Sequence, residues 1–225
     1  MGLIEKECDT AESMKKMCIK FVRLIRLLQL RAKYYRQPPD LGKVCGGLGI
    51  NIEKALDLGS GPSPKNPFGA GKLFGIDIRS HDVNQNVKKC ALGIESIPFA
   101  SASFDAVTAH DILEHIPRAA LNQSEVVFPF VSAMNEIWRV LKIEGLFYSI
   151  TPCFPMKEAF QDPTHCNIMT EDTLRLYFAE KAWARIYGYL GSFQLVEEGW
   201  TGSHYFCVLQ KTSEEPINKL NSVQQ

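Results

Sequence analysis

Short apolar runs, separated by Gly, Pro and polar residues, recur along residues 54–211. Runs of this length bounded by such residues are typical of strands. They predict strands at residues 54–58, 72–78, 104–110, 146–151, 193–198 and 205–210, with a further short one near 89–93. The first four runs are almost continuously apolar, which indicates strands of a parallel sheet that is covered on both faces.

Amphipathic stretches lie between these runs and predict helices. One face of residues 130–141 carries apolar side chains at helical spacing, namely Phe130, Met134, Ile137, Trp138 and Leu141. A second helix is predicted from Thr170, its N-cap, to about Leu190. Alternating strands and helices indicate βαβ units and a doubly wound α/β sheet. The short segment GWTGSH joins the last two strands and predicts an antiparallel pair at one edge.

Residues 12–36 form another amphipathic stretch and are predicted to be helical. From Lys15 to Arg36 the chain has eight basic residues and no acidic one. We expect a helix that packs on the domain or covers a site as a lid. A helix that contacts an anionic membrane surface or nucleic acid is the alternative. The predicted organisation is this helix in residues 1–40, one domain in 41–212 and a flexible polar tail in 213–225.

Composition narrows the class of protein further. The chain has 225 residues, with 25 basic and 25 acidic side chains, so no overall field favours nucleic acid. The seven cysteines form no C-x-x-C pair, which predicts reduced thiols and neither a disulfide framework nor a zinc site. The N-terminal residues lack the apolar core of a signal peptide, and no run reaches membrane-spanning length. We therefore expect a soluble, cytoplasmic protein.

The most informative loop follows the first predicted strand, in ALDLGSGPSPKNPFGAGKLFGIDI. Ligands of doubly wound sheets lie beyond the carboxyl ends of the strands, and Gly59 and Gly61 would let a ligand approach the backbone closely. Asp77 ends the second strand, where it could accept hydrogen bonds from both hydroxyls of a ribose. A dinucleotide needs a further glycine and a helix N-terminus for its pyrophosphate, but Pro64 occupies that position. The loop therefore favours a ligand with a ribose and without phosphate.

Four segments in order resemble the class I S-adenosylmethionine-dependent methyltransferases: ALDLGSGPS, FGIDI, IESIPFASASFDAVTAHDILEHIP and EIWRVLKIEGLFYSITP. The resemblance covers most of the chain. It implies a Rossmann-like, doubly wound, seven-stranded sheet that is mostly parallel, with an antiparallel last strand and helices on both faces. It also implies the strand order 3-2-1-4-5-7-6 and the cofactor S-adenosyl-L-methionine.

The resemblance assigns cofactor contacts by position. The methionine part and the ribose edge would be held by the loop Asp57, Gly59, Ser60 and Gly61. Asp77 would bind the ribose, and Ile78 would lie against the adenine. The adenine amine would lie near the loop Glu95, Ser96 and Ile97. The methionine and the transferred methyl would face His110 and Asp111. The family often has an aspartate where Gly93 stands, so Glu95 or backbone amides would take over its role.

Methyl transfer requires an aligned acceptor and, for some acceptors, a base that removes its proton. The predicted catalytic residues are Asp111, after the fourth strand, and His165, in the loop QDPTHCNIMT; His115 and Asp162 are further candidate bases. Alternatively, Asp162 and His165 simply fasten that loop by hydrogen bonds. No metal is predicted, because H-D-x-x-x-H at residues 110–115 lacks a third ligand.

The predicted function is methyl transfer to O or N of a small molecule, for which a sugar or glycan precursor is one candidate because similar D-P-T-H loops are associated with sugar pathways. Four alternatives stay open. They are a scaffold protein that binds the cofactor without turnover, an RNA methyltransferase that uses the basic helix, a nicotinamide oxidoreductase, which Pro64 disfavours, and a purely structural Gly/Pro turn.

Overall fold

The computed structural model describes residues 17–26, 28, 29, 32–80 and 85–213. Within these residues the strands are β1 (Lys54–Leu58), β2 (Lys72–Asp77), β3 (Val87–Lys89), β4 (Phe104–His110), β5 (Ala120–Asn122), β6 (Glu125–Val127), β7 (Leu141–Pro152), β8 (Phe193–Thr201) and β9 (His204–Lys211). β5 and β6 form a separate antiparallel hairpin, and the other seven strands form one sheet.

The strand order of the large sheet is β3-β2-β1-β4-β7-β9-β8. β1 pairs in parallel with β2 and β4, and β4 pairs in parallel with β7, whereas β9 is antiparallel to both β7 and β8. This is the order that the resemblance implied, and the predicted antiparallel edge pair is confirmed. Since β9 runs in the opposite direction, its first residue, His204, pairs with Pro152 at the carboxyl end of β7.

Two helices cover opposite faces of the sheet. Helix α1 (Leu41–Leu48) packs Leu41 and Cys45 into a core with residues of β1, β7 and β9, and helix α2 (Pro129–Val140) packs its apolar face into the larger core on the other side. α2 confirms the helix predicted at 130–141. Full burial of each large apolar side chain contributes roughly 1.5–3 kcal/mol to the stability of the fold. The two helices therefore stabilise the sheet from both faces.

Helix α1 was not predicted, because three glycines interrupt its eight residues. Its ends nevertheless carry recognisable signals. The Asp40 carboxylate accepts a hydrogen bond from the Lys43 amide, as an N-cap does, and Gly49 ends the helix in the left-handed conformation at φ 69°.

The single helix predicted at 170–190 is wrong. The chain instead forms a short α-helical turn at Asp172–Leu174, a π-helix at Arg175–Glu180 and a 3₁₀ helix at Trp183–Tyr187. Ala182 interrupts the series because its φ of 47° is left-handed. The breaks let the chain fold back, so that Phe178 and Tyr189 are both buried with their rings in edge-to-face contact. In one straight helix these two residues would be about three turns apart.

Residues 59–71, between β1 and β2, contain no helix. The prolines in this loop account for its irregular path, since each removes an amide donor and restricts the preceding residue. Two carboxylates at strand ends hold the loop in place, as described below.

Residues 17–26, 28, 29 and 32–34 are helical, in agreement with the predicted N-terminal helix, but Phe21 and Leu28 are exposed. The segment attaches to the domain at its end, where Tyr34 packs on Trp200 with ring centroids 4.9 Å apart and the Arg36 amide donates to the Trp200 carbonyl. A lid role for this segment stays a prediction. Within the described residues, no helix combines the length and apolar character needed to cross a membrane. The tail predicted at 213–225 lies, apart from residue 213, outside the described residues.

Candidate active site

Asp57, in β1, links three parts of the site. It is 2% exposed, and its two oxygens accept hydrogen bonds from the Thr108 hydroxyl at 2.7 Å and from the Lys65 amide at 2.8 Å. The Nδ1 atom of His110 lies 3.5 Å from the same oxygen that Thr108 reaches. Asp57 therefore positions the glycine loop and His110 together, and its buried oxygens are already engaged.

Asp77 ends β2 and faces the same loop. Its carboxylate accepts hydrogen bonds from the amides of Gly61 at 3.0 Å and Arg79 at 2.9 Å, and the Arg79 Nε atom lies 3.3 Å away. Burial by itself would raise the pKa of Asp77, but these donors lower that pKa below its ordinary value. The carboxylate is therefore held ionised. The exposed Arg79 side chain is the contact that a ligand hydroxyl could displace.

The loop needs glycine at position 59 for two reasons. Gly59 has a φ of 64°, and a Cβ atom there would lie 2.7 Å from the Ile112 side chain. Gly61 also has a positive φ, 56°, but faces open space. The two glycines thus have different roles, since Gly59 packs against the segment after β4 and Gly61 leaves room above Asp77.

We expect Gly59→Ala to destabilise the protein by about 2–5 kcal/mol, because left-handed backbone and overpacking each cost about 1–3 kcal/mol. Urea denaturation measures the change. Gly47→Ala is the matched control: Gly47 lies in α1, and a Cβ atom there would have no neighbour within 4 Å, so alanine should stabilise by up to about 1 kcal/mol. Equal unfolding midpoints for the two variants would contradict the role given to Gly59.

The residues assigned to the adenine side lie in two places. Ile78 follows β2 and is 66% exposed, so its side chain is free to cover a ring. Glu95 and Ser96 are exposed as well, and the Glu95 carboxylate accepts a hydrogen bond from the Ala91 amide at 2.7 Å. The Ile97 side chain is buried in the core, and its backbone amide donates to the Glu136 carboxylate at 2.7 Å.

His110, Asp111 and His204 meet at the carboxyl end of β4. The His110 ring lies edge-on to Tyr148, with centroids 5.5 Å apart. Asp111 follows with a left-handed φ of 52°, unusual for a residue other than glycine, and its amide donates to the Ile150 carbonyl. This backbone turn brings its carboxylate to 3.1 Å from the Nε2 atom of His204.

The Asp111–His204 pair changes the pKa of both partners. The hydrogen bond that His204 donates to Asp111 raises the pKa of His204 above its ordinary value, against the opposing effect of burial. Burial alone would raise the pKa of Asp111, but His204 and nearby Lys65 and His110 lower it. Burial, assisted by Asp111, raises the pKa of Tyr148 to about 12, so this phenol stays protonated near neutral pH. The geometry provides an imidazole oriented by a carboxylate at the edge of the sheet.

His204 was not among the residues that the sequence analysis selected. The signal that could have found it was its position: it begins the last strand, directly after the tight turn of GWTGSH. Because that strand is antiparallel, its beginning lies at the same edge as the ends of the parallel strands.

His165 lies in the loop after β7. Among the described contacts, it makes no hydrogen bond with Asp111 or His204. The loop is closed by Asp162, whose carboxylate accepts bonds from the amide and the hydroxyl of Thr164. The His165 ring contacts the His115 ring with centroids 4.8 Å apart, and its Nδ1 atom lies 3.2 Å from the Ala159 carbonyl. The structure therefore brings His165 together with His115, the residue at the end of H-D-x-x-x-H.

A cleft of about 370 Å³ lies beside this edge of the sheet. Trp200 forms one wall, and its indole N–H donates to the Glu171 carboxylate at 2.8 Å, which also pairs with Lys33 at 3.0 Å. The hydrogen bond from Trp200 and the pairing with Lys33 lower the pKa of Glu171, although burial opposes them. The cleft is lined by Lys33, Tyr34, Phe154, Pro155, Thr170, Glu171, Asp172 and Trp200.

The comparisons with known proteins agree on a class. Residues 56–149 match the family described as "Methyltransferase domain". A putative methyltransferase from Bacillus halodurans has a similar structure, with 16% sequence identity and a TM-score of 0.53 over 77% of this chain and 99% of that one. An S-adenosylmethionine-dependent methyltransferase from Aquifex aeolicus also has 16% identity, with a TM-score of 0.50 over 77% and 90% of the two chains. No curated protein matches the chain significantly.

The strand order of the sheet is that of a methyltransferase fold, and residues 56–149 match the methyltransferase domain family. The chain therefore has the fold of the S-adenosylmethionine-dependent methyltransferases.

Proposed function

We propose that the protein transfers the methyl group of S-adenosylmethionine to an oxygen or nitrogen of a small polar molecule, with sugars and glycan precursors as the favoured class. The observation that carries this proposal is the aromatic cleft at the same end of the sheet as the Asp111–His204 pair. Phe154 of the cleft follows Cys153, whose amide donates to the Ser203 carbonyl next to His204. The cleft and the paired imidazole thus lie at the same end of the sheet.

The cofactor would be held by the loop after β1 and by the end of β2. Asp77 would accept hydrogen bonds from the ribose hydroxyls in place of Arg79, and Ile78 would cover one face of the adenine, with Glu95 and Ser96 near its amine. Gly59, Ser60 and Gly61 would border the methionine part, with Asp57 acting through the loop and His110. When bound, S-adenosylmethionine supplies an activated methyl group on a sulfonium.

His204 would accept the proton of the acceptor, with Asp111 as the positioning residue. A hydrogen bond between His204 Nε2–H and Asp111 leaves the Nδ1 lone pair for the acceptor proton, where the Ser203 hydroxyl now lies 3.1 Å away. Asp111 stabilises the imidazolium that forms, as the raised pKa of His204 indicates. This role replaces His165 by His204 as the proposed base and keeps Asp111 at the reaction centre.

The cleft supports a small acceptor. Its volume is near the lower end of the range of about 300–1,000 Å³ typical of small-molecule sites. Its walls combine aromatic faces, which pack on the C–H faces of sugar rings, with the charged groups of Lys33 and Glu171, which can bind hydroxyls. RNA binding relies on several basic side chains that contact phosphates. The lining of this cleft contains one basic residue, Lys33.

The proposal is tested by methyl transfer from labelled cofactor to a panel of glycosides, nucleotide sugars, small amines and a structured RNA. We expect turnover with a member of the small-molecule arms. For that acceptor, Phe154→Ala should raise KM by about tenfold, the loss of roughly 1.4 kcal/mol of contact. The dissociation constant of S-adenosylhomocysteine should stay unchanged.

Trp183→Ala is the matched control, because Trp183 is an exposed aromatic residue that does not line the cleft. It should leave KM unchanged. Methylation of the RNA alone would contradict a small-molecule acceptor, and cofactor binding without transfer to any arm would favour the scaffold protein.

A further inference from the structure

Three side chains capable of binding a metal meet beside the acceptor side of the site. Glu114 and His115 belong to the 3₁₀ turn Leu113–His115 after β4, and His165 belongs to the loop after β7. One ligand atom from each lies within 4.8 Å of the others. Of the motif H-D-x-x-x-H, only its last residue, His115, belongs to this group; Glu114 occupies one of the x positions and His165 comes from the loop after β7.

Glu114 has an unusual environment for a carboxylate. It is 1% exposed, and its Oε2 atom accepts a hydrogen bond from the Thr151 hydroxyl at 2.7 Å. Its Oε1 atom is buried and has no hydrogen-bond partner within the described part of the chain. A buried carboxylate oxygen without a donor is costly, and a cation beside it would remove that cost.

The hydrogen bonds of the two histidines involve Nδ1 on each ring, and Nε2 of His165 lies 3.9 Å from the Asp162 carboxylate. The Thr164 hydroxyl donates to Asp162, so its oxygen can accept a hydrogen bond from Nδ1–H of His115 at 3.0 Å. Nδ1–H of His165 can donate to the Ala159 carbonyl at 3.2 Å. Both arrangements leave Nε2 as a lone-pair donor, which is how metal-binding histidines are oriented by their outer partners.

We propose that Glu114, His115 and His165 bind a divalent transition metal ion, with Zn²⁺ as the representative ion. Two imidazoles and one carboxylate are a known zinc ligand set that leaves a fourth position for water or substrate. Mg²⁺ and Ca²⁺ prefer oxygen ligands throughout, so they fit less well. Ligands of a tetrahedral zinc lie about 3.4 Å apart; the three atoms would therefore approach by about 1 Å on binding, which side-chain rotation allows.

The ion would fasten the loop after β7 to the turn after β4. That loop is already attached without a metal, since the Asn167 amide donates to the Glu114 carbonyl and its side chain donates to the Leu113 carbonyl. The fold therefore does not depend on the ion. Its role would be to set the position of residues 162–165 relative to the turn Leu113–His115.

The test uses the full chain after chelator treatment, titrated with ZnCl₂ by calorimetry and with CoCl₂ by visible absorption. We expect one saturable site per chain and the visible bands of tetrahedral Co²⁺. Glu114→Gln keeps the bond from Thr151 and should weaken binding by at least about 100-fold, as should His165→Gln. Thr164→Val, which removes the outer partner of His115 and the hydroxyl bond to Asp162, should weaken binding by about 10-fold.

His204→Gln is the matched control, a partly buried histidine beside a carboxylate but outside the three ligands, and it should leave Zn²⁺ affinity unchanged. Cys166→Ser addresses thiol binding, since the Cys166 Sγ atom lies 3.3 Å from the His115 carbonyl. Three results would overturn the proposal: no saturable Zn²⁺ binding, Zn²⁺ binding that survives both ligand variants, or binding lost only in Cys166→Ser.

Thermal unfolding and S-adenosylhomocysteine binding, measured on each variant, separate a metal effect from misfolding. They also separate this proposal from the proposed function. Cofactor binding with no metal site would reject the ion alone, and a metal site without methyl transfer would reject the proposed acceptor class alone.

Discussion

Asp77→Ala is expected to weaken S-adenosylhomocysteine binding by at least about 100-fold. The ionised carboxylate would accept hydrogen bonds from two ribose hydroxyls, and hydrogen bonds to charged groups contribute about 1.5–3 kcal/mol each. The lowered pKa of Asp77 keeps the carboxylate charged across the neutral range. Isothermal titration calorimetry measures the loss directly, and Asp77→Asn, which keeps one acceptor oxygen, should lose about 10-fold.

Asp105 provides the matched control. It is a partly buried carboxylate near the start of β4, at the amino ends of the parallel strands and so at the end of the sheet opposite the site. It accepts hydrogen bonds from the Lys54 amide and the Lys142 ammonium. Asp105→Asn should lower the stability of the fold and leave cofactor affinity unchanged. Wild-type affinity in Asp77→Ala would refute the ribose role of Asp77, whereas an equal loss in both variants would show that only folding was measured.

His204→Gln is expected to lower kcat by about 10²–10⁴-fold, the usual contribution of a general base, with little change in cofactor affinity. The pH dependence gives the sharper measurement. A base acts only when deprotonated, and Asp111 raises the pKa of His204. The acid limb of kcat/KM for the wild-type protein should therefore lie above the ordinary histidine pKa of about 6.5.

Asp111→Asn removes the charge that raises this pKa, so it should move the acid limb to lower pH while also lowering kcat. A merely structural role for Asp111 would lower activity at every pH without moving the limb. Wild-type turnover in His204→Gln would rule out His204 as the base and return His165 to that position.

The sheet, and the positions at strand ends of the residues assigned to the cofactor, could be predicted from the sequence because their signals are local. Apolar runs mark the strands, and Asp57, Asp77 and Asp111 each lie at or near the end of one, so their proximity follows from a parallel sheet. The prolines after Gly61 indicated a loop where a helix N-terminus would bind pyrophosphate, and the loop 59–71 has no helix.

The acceptor side could not be predicted in the same way, because it depends on contacts between residues far apart in the chain. Asp111 and His204 are far apart in the chain and come together only in the folded sheet. Glu114 and His115 likewise come close to His165, which follows β7 in the chain. The helix predicted at 170–190 was wrong for a related reason. The apolar spacing of these residues fits a continuous α-helix as well as a series of short π and 3₁₀ segments. The burial of Phe178 and Tyr189 favours the short segments.

The reversed direction of β9 separates two functions along the chain. Parallel strands present their last residues at the active end of the sheet, so residues 57–110 carry the groups proposed for the cofactor. An antiparallel strand presents its first residue there, so His204 is delivered by the turn at Gly202 and Ser203. Changes in the length or sequence of that turn could therefore alter which acceptor is deprotonated, while the cofactor-binding half of the protein keeps its geometry.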